Sequence, residues 1–272
     1  MHDANWRAAL VDVGNTRVKA ALGGPEAILG SAGFDTRALR PGGAGQGGDA
    51  GSAARLEAEL RRALEMTGWD GRAMPSVVSS VVPALDAPLA AVLTTVLGAP
   101  PRFVPGDLPV PLQNRYARPE EVGADRLVGA YGARRLHPEA ERIIVVDFGT
   151  ATTFDCLVGD AYLGGLICPG VLSSVRALTE ETAKLPKATL EIDPDGLHMG
   201  ESTLDSLNQG LVFGFAAMIE GLTPRLEQVM GGPALVLGTG GLAPAIARVC
   251  PTLAAVYKAL VPEGLRRLAL GE

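Results

Sequence analysis

Apolar and polar positions alternate along the first half of the chain in a way that predicts strands and helices in turn. Short runs rich in Val, Leu and Ala are typical of buried strands, and the spacing of Leu56, Leu60 and Leu64 indicates a helix with one apolar face. The predicted order is strands 8–13, 17–22 and 28–34, helix 53–66, strand 75–82, helix 84–97 and strand 102–104.

The second half of the chain repeats this beginning. The predicted order is strands 143–147, 152–158 and 162–167, helix 172–183, helix 203–230 with a break or kink near Pro224, strand 234–237, helix 242–249, strand 253–257 and helix 263–270. Three strands followed by alternating strands and helices, present twice, predict an α/β protein of two ribonuclease-H-like domains. We place the boundary where His137-Pro138-Glu139 interrupts a helical run, which gives domains 1–138 and 139–272.

A glycine-rich segment, 41–52, separates the third predicted strand from the first helix. A phosphate-binding P-loop ends in a lysine followed by a hydroxyl residue, and this segment contains no lysine. We therefore interpret it as a flexible surface loop.

Two turns with the same chemistry lie about half the chain apart. Each follows an apolar run, places an aspartate at the strand end (Asp12 and Asp147), and turns through a glycine (Gly14 and Gly149) into hydroxyl or amide residues. Such a turn offers closely approaching donors to a phosphate, and the carboxylate can hold the metal ion of that phosphate directly or through water. The repetition within a 272-residue chain predicts a duplicated domain that binds nucleotide phosphates.

Side chains beside these turns refine the prediction. Thr150 lies in the second turn and is the best candidate for phosphate contact, whereas Thr152 and Thr153 also suit a strand without any ligand. Lys19 lies on the strand that leaves the first turn. It either reaches a phosphate as a point charge or is simply solvated, and the sequence leaves both alternatives open.

The segment before the second half contains an acid in an unfavourable place. Pro119, followed by two glutamates, predicts a helix start. Asp125 then falls beside the apolar side of that helix, where a carboxylate needs a partner or a cleft. A glycine inside the helix, as expected for Gly123, would lower helix stability by about 1 kcal/mol relative to alanine. A glycine kept there despite this cost, near Asp125, indicates close approach of a ligand. A structural ion pair of Asp125 with Arg126 or Arg115 is the alternative.

Two further glycine-rich turns follow strands. Residues 164–170 close a strand and open a helix at Gly170, where N–H groups can contact an anion, although tight strand–helix packing explains the same glycines. Residues 238–243 follow a buried strand, and a turn without side chains at that end of a strand accommodates a base or a ribose.

Composition narrows the class of ligand. The chain is 47% hydrophobic, 20% charged and 4% aromatic, and its net charge of −6 argues against nucleic acid and for a small molecule. Three cysteines and three histidines are too scattered for a disulfide framework or a metal site. The N-terminus lacks the apolar region of a secretory signal, and no apolar stretch approaches about 18 residues. We therefore expect a cytoplasmic protein that does not contact membranes.

Six motifs in order resemble those of type III pantothenate kinases, the family that includes the Bvg accessory factor. They lie at 12–19, 114–116, 123–126, 147–153, 164–170 and 240–243, so the resemblance runs from residue 10 to about residue 245. The Gly-Ala-Asp-Arg element at 123–126 combined with the two aspartate turns is specific to that family. Single elements are shared with the superfamily of acetate and sugar kinases, heat-shock-70 proteins and actin. The length of the 41–52 segment and Cys168 are minor departures from the pattern.

The resemblance implies a two-domain fold of that superfamily and a homodimer. It also implies ATP-dependent phosphorylation of pantothenate on its primary hydroxyl, the first step of coenzyme A biosynthesis, with Asp125 as the general base. The implied ATP contacts are Asp12, Val13, Gly14, Asn15, Thr16, Arg17, Val18, Lys19, Thr150 and Gly241. The implied pantothenate contacts are Tyr116, Gly123, Ala124, Asp125, Arg126 and, from the second subunit, Thr203.

Two cations complete what the resemblance implies: magnesium near Asp12, and potassium or ammonium at Asp147. A non-catalytic regulatory or binding protein on the same fold is the alternative, and the presence of Asp12, Asp125 and Asp147 argues against it. A sugar or acetate kinase is a second alternative, against which the Gly-Ala-Asp-Arg element and the short chain argue.

Overall fold

The computed structural model describes residues 6–36, 49–181, 186, 188–191 and 196–272. These residues form two compact units. Unit 1 comprises the described parts of Met1–Leu112, together with Ala117–Leu136 and Ala259–Glu272. Unit 2 comprises Gln113–Tyr116 and the described parts of His137–Lys258.

Unit 1 contains a five-stranded sheet with the order β3-β2-β1-β4-β5. Its strands are β1 (Ala8–Val13), β2 (Arg17–Gly23), β3 (Ile28–Asp35), β4 (Ser76–Ser80) and β5 (Arg102–Val104). Its helices are α1 (Asp49–Met66), α2 (Pro83–Leu97), α3 (Ala124–Leu136) and α7 (Leu260–Leu270). β2 is antiparallel to both β1 and β3, whereas β4 is parallel to β1 and β5 is parallel to β4.

Helices cover both faces of this sheet, so β1 is buried along its whole length. One face packs on α1 and α2 through a core that includes Val11, Leu60 and Leu93. The other face packs on α3 and α7 through a core that includes Leu10 and Val128. Because alternate residues of a strand point to opposite faces, the aspartate that follows Leu10 by two positions lies on the α3 side.

Unit 2 contains a six-stranded sheet with the order β11-β10-β7-β8-β9-β6. Its strands are β6 (Gln113–Asn114), β7 (Arg142–Phe148), β8 (Ala151–Val158), β9 (Ala161–Pro169), β10 (Leu235–Thr239) and β11 (Ala255–Tyr257). Its helices are α4 (Val171–Glu181), α5 (Thr203–Met230) and α6 (Ala243–Ala247). Val146 and Phe154 of the sheet pack against Val212 and Ile219 of α5.

The two sheets share one strand order. β3-β2-β1-β4-β5 in unit 1 corresponds in chain order to β9-β8-β7-β10-β11 in unit 2, which adds β6 beside β9. β1 and β7 therefore occupy the same place in their sheets, and each carries its aspartate next to its last residue. The duplicated α/β architecture expected from the sequence is present.

The last helix, α7, groups with unit 1, whereas the sequence analysis assigned it to the second domain. Its Leu265 joins the core formed by β1 and α3. Gly264 lies so close to α3 that a β-carbon would overlap the carbonyl oxygen of Val128. The guanidinium of Arg266 is buried and donates to the carbonyl oxygen of Pro25 at 2.7 Å. Unit 1 is thus discontinuous in sequence.

Several helices differ from the prediction in extent or in continuity. α1 begins at Asp49, inside the segment interpreted as a loop, and residues 41–48 of that segment lie outside the described residues. α4 ends at Glu181, and the predicted residues 182–183 also lie outside them. α5 is unbroken and includes Pro224, because packing against the sheet outweighs the lost backbone hydrogen bond. Within the described residues, no helix is both long and apolar enough to span a membrane.

Candidate active site

The first aspartate turn is held closed by its own backbone and by Thr36. The N–H of Gly14 donates to the carbonyl oxygen of Arg17 at 3.0 Å. Thr36, fully buried after β3, donates its hydroxyl to the carbonyl oxygen of Gly14 at 2.9 Å and its N–H to that of Thr16 at 3.0 Å. Thr36 could not be recognised in the sequence, because its contact depends on strand pairing, which no local motif marks.

Three polar residues form a row across the sheet at the end of β1. Asp12 pairs with Lys19 of β2 on one side and with Ser79 of β4 on the other. The Lys19 Nζ lies 3.8 Å from Asp12 Oδ2, with the lysine side chain 48% exposed and the aspartate side chain 10% exposed. The Ser79 hydroxyl is buried and has no hydrogen-bond partner among the described residues. Lys19 is thus both paired and open to solvent, and neither alternative for it is eliminated.

The start of α3 corrects the prediction for Gly123. Residues Pro119–Glu121 form a single 3₁₀ turn, Val122 is extended, and α3 begins at Ala124. The carbonyl oxygen of Gly123 accepts from the N–H groups of the first helical turn, so this glycine caps the helix instead of lying inside it. The expected cost of a glycine in a helix interior therefore does not apply.

Gly123 instead makes room for the carboxylate of Asp125. A β-carbon on Gly123 would lie 2.6 Å from Asp125 Oδ1 and 3.3 Å from Val81 Cγ1. The same carboxylate oxygen accepts the backbone N–H of Arg126 at 2.8 Å. Glycine next to Asp125 is therefore a steric requirement of this arrangement.

Burial raises the pKa of Asp125 above its ordinary value of 3.8, even though the backbone N–H of Arg126 and the charges of Arg126 and Lys19 act in the opposite direction. A structural ion pair would lower the pKa of an aspartate. Arg115, the other proposed ion-pair partner, donates to Gln113 Oε1 within unit 2. Burial therefore outweighs the attraction of Arg126 and shifts the pKa of Asp125 in the direction that suits a proton acceptor.

The second aspartate turn, in unit 2, is tighter. The N–H of Gly149 donates to the carbonyl oxygen of Ala151 at 3.1 Å. Gly240 has a φ of 92°, and a β-carbon there would lie 2.5 Å from Asp147 Oδ1 and 2.7 Å from the carbonyl oxygen of Phe148. Two oxygens therefore converge on the backbone of Gly240, while the space around Gly241 is open.

Thr150 is exposed, and its carbonyl oxygen accepts the Ser173 hydroxyl of α4 at 2.7 Å. A β-carbon on Gly170 would overlap that same carbonyl oxygen, and one on Gly165 would overlap the carbonyl oxygen of Phe154. These glycines are therefore explained by strand–helix and strand–strand packing, the alternative left open for them.

The substrate residues implied by the resemblance are divided between the units. Gly123, Ala124, Asp125 and Arg126 belong to unit 1, whereas Tyr116 and Thr203 belong to unit 2. The Tyr116 ring lies against Gly164, where a β-carbon would be 2.9 Å from its Cδ2. Thr203 is exposed in the first turn of α5, whereas the neighbouring Ser202 caps that helix by accepting from the N–H of Asp205.

Of the residues implied to contact ATP, two are core residues. Val13 and Val18 are each 1% exposed and pack in unit 1, so any contact they make with a nucleotide is through their backbone. Asn15 and Arg17 are exposed, and Arg17 donates to the carbonyl oxygen of Gly33 at 3.0 Å.

Solved structures show where this fold occurs. A Baf family protein from Campylobacter jejuni has a TM-score of 0.60 at 16% identity, covering 97% of this chain and 98% of that one. A ROK family glucokinase from Streptomyces griseus, solved with glucose and AMPPNP, has a TM-score of 0.53 at 15% identity, covering 97% and 98%. These likenesses concern the fold alone, and they agree with the predicted α/β fold of two ribonuclease-H-like domains.

Similarity in amino-acid sequence identifies the family within this fold. The family model for type III pantothenate kinase matches residues 9–225. A protein from Nitratidesulfovibrio vulgaris (strain DP4), named type III pantothenate kinase, is 49% identical over 261 residues that cover 96% of each chain. Because the model spans most of the chain and the relative matches nearly all of it, this chain belongs to the type III pantothenate kinase family.

Proposed function

We propose that this protein transfers the γ-phosphate of ATP to the primary hydroxyl of pantothenate, which forms 4′-phosphopantothenate and begins coenzyme A biosynthesis. The observation that carries the proposal is a partly buried aspartate with a raised pKa, Asp125, at the start of a helix within a chain of this family. Because the reaction consumes ATP, we place it in the cytoplasm.

Asp125 accepts the proton of the attacking hydroxyl. A general base works best when its pKa lies near the working pH, and burial shifts Asp125 in that direction. Gly123, Ala124, Arg126 and Tyr116 position the pantothenate. Phosphoryl transfer otherwise depends on positioning and charge stabilisation, so no covalent intermediate on the protein is needed.

The phosphates of ATP lie against the first turn, from Asp12 to Lys19, with the half-exposed Lys19 as a positive charge. In unit 2, Thr150 donates to a phosphate and the open turn at Gly241 accepts the nucleoside. Thr36 fixes the first turn before the nucleotide arrives, which lowers the entropy lost on binding.

The donor atoms beside Asp12 fit magnesium. Magnesium prefers hard oxygen ligands and keeps several of its waters. The row at the end of β1 offers the Asp12 carboxylate and, on the neighbouring strand, the hydroxyl of Ser79, which no described residue bonds. When bound there with ATP, the ion would neutralise negative charge on the phosphates.

The donor atoms beside Asp147 fit a monovalent cation. Asp147 Oδ1 and the carbonyl oxygen of Phe148 converge on the place that a side chain at residue 240 would fill. A carboxylate combined with backbone carbonyl oxygens suits potassium or ammonium. Asp147 would hold the ion and so stabilise the second turn in the conformation described above.

We also propose that the protein is a homodimer and that Thr203 acts across the subunit contact. Unit 2 exposes large apolar side chains on β9 (Leu163 and Ile167) and before α5 (Leu197 and Met199), and exposed apolar surface of this kind favours association. Sedimentation at the mass of a monomer would rule out the cross-subunit role of Thr203.

The proposed function is tested by supplying purified protein with ATP, magnesium, potassium and pantothenate and measuring phosphopantothenate by mass spectrometry. We expect turnover that depends on the monovalent cation and no turnover with glucose or acetate. Failure with every monovalent cation would favour a non-catalytic regulatory or binding protein. Phosphorylation of a sugar would favour a sugar kinase.

Thr36→Val is expected to raise the KM for ATP about fivefold, because it removes one net hydrogen bond of about 1 kcal/mol from the first turn. The KM for pantothenate should stay within about twofold of wild type. Thr36→Ser keeps the donor and serves as the matched control. Equal KM values for ATP in wild type and Thr36→Val would show that Thr36 does not position the turn.

A further inference from the structure

The Ser79 hydroxyl is in an unfavourable environment for an unpaired polar group. Ser79 is 0% exposed, and its oxygen has no hydrogen-bond partner among the described residues. Buried polar groups nearly always have a partner in the protein or in a bound molecule. The Ser79 hydroxyl therefore needs a partner that the described residues do not supply.

The neighbours of Ser79 indicate what that partner is. Ser79 pairs with Asp12 in the parallel ladder of β4 and β1, so both side chains point to the same face of the sheet. Val77, two positions earlier on β4, packs with Val128 of α3 on this face. Ser79 is therefore the neighbour of Asp12 across the two strands, on the side of the sheet that α3 covers.

The end of β4 also lies next to the start of α3. Gly123 directly precedes α3, and a β-carbon on it would lie 3.3 Å from the side chain of Val81, two residues after Ser79. The same β-carbon would meet Asp125 Oδ1. Ser79 therefore belongs to the same corner of unit 1 as Asp12 and Asp125.

We propose that Ser79 is a further residue of the magnesium site, where its hydroxyl and the Asp12 carboxylate together hold a water of the ion's coordination shell. Magnesium dehydrates reluctantly, so most of its protein contacts are made through such waters. Groups that orient a metal's ligands without touching the metal affect its affinity strongly. The inference rests on the proposed function, since the ion arrives with ATP.

The test measures the dissociation constant of a nonhydrolysable ATP analogue by calorimetry, with magnesium and then with EDTA. We expect Ser79→Ala to weaken binding about fivefold in magnesium, the factor that one neutral hydrogen bond contributes, and to leave binding in EDTA unchanged. Ser79→Cys keeps the size of the side chain with a weaker donor, and the same loss is expected from it. It also keeps the test valid if the alanine variant does not fold.

Ser76→Ala is the matched control. Ser76 is on the same strand, and its buried hydroxyl also has no hydrogen-bond partner within the described part of the chain. However, Ser76 pairs with Ala9 and points to the opposite face. We expect wild-type binding from this variant. An equal loss in Ser76→Ala and Ser79→Ala, or no loss in Ser79→Ala, would overturn the inference. Wild-type protein that binds the analogue no better with magnesium would overturn the magnesium site itself, and this inference with it.

Discussion

Asp125→Asn is expected to lower kcat for pantothenate phosphorylation by about 10²- to 10⁴-fold, the range that a positioned general base contributes. Asparagine keeps the shape of the side chain and still accepts the N–H of Arg126, so only the proton acceptor is removed. The measurement is steady-state turnover at saturating ATP, pantothenate and potassium. A variant with near-normal kcat would exclude Asp125 as the base.

The pH dependence gives a second test of the same role. Since burial raises the pKa of Asp125 and the ionised form is needed, wild-type kcat/KM should fall with acid at a pH above the ordinary aspartate value of 3.8. Asp125→Asn should lose this acid limb, whereas the exposed control Asp70→Asn should keep it.

A raised pKa also means that the ionised carboxylate of Asp125 destabilises the folded state at neutral pH. We therefore expect Asp125→Asn to unfold at a temperature no lower than wild type.

Gly240→Ala is expected to abolish activation by potassium and to destabilise the protein. The φ of 92° alone costs an alanine about 1–2 kcal/mol, and the new methyl group would press on Asp147 Oδ1 and the carbonyl oxygen of Phe148. Both oxygens would have to move from the place where they converge. The measurements are chemical denaturation and turnover across a potassium series.

Gly231→Ala separates backbone strain from loss of the cation site. Gly231 caps α5 with a φ of 80°, but nothing lies within 4 Å of its added β-carbon. This control should lose stability and keep a wild-type potassium response. If Gly240→Ala responds to potassium as wild type does, the cation does not bind at Asp147.

Sequence periodicity predicted most strands and helices because many strands are short apolar runs, and the sheet of unit 1 is covered on both faces. It placed the start of the helix before Asp125 too early. A proline followed by two acids suits a 3₁₀ turn as well as an α-helix, and only the extended backbone of Val122 distinguishes them. The identity of Asp125 as an acid in an unusual environment was nevertheless visible in the sequence.

Thr36 and Ser79 were not predictable, for a different reason. Each acts through strand pairing with residues far away in sequence, and register is a property of the folded sheet. Ser79 also resembles any polar residue in a strand until its burial beside Asp12 is known. The residues of the aspartate turns were predictable, whereas the residues that contact those turns from other strands were not.

The discontinuity of unit 1 has a consequence for how the protein is made. The core on the α3 side needs Leu265 and Leu268 of α7, which the ribosome adds after the whole of unit 2. Unit 1 therefore cannot complete this core until unit 2 has been synthesised. A nascent chain arrested before residue 260 should expose the apolar side of β1 and α3 to chaperones, even though the first aspartate turn, directly after β1, was made long before.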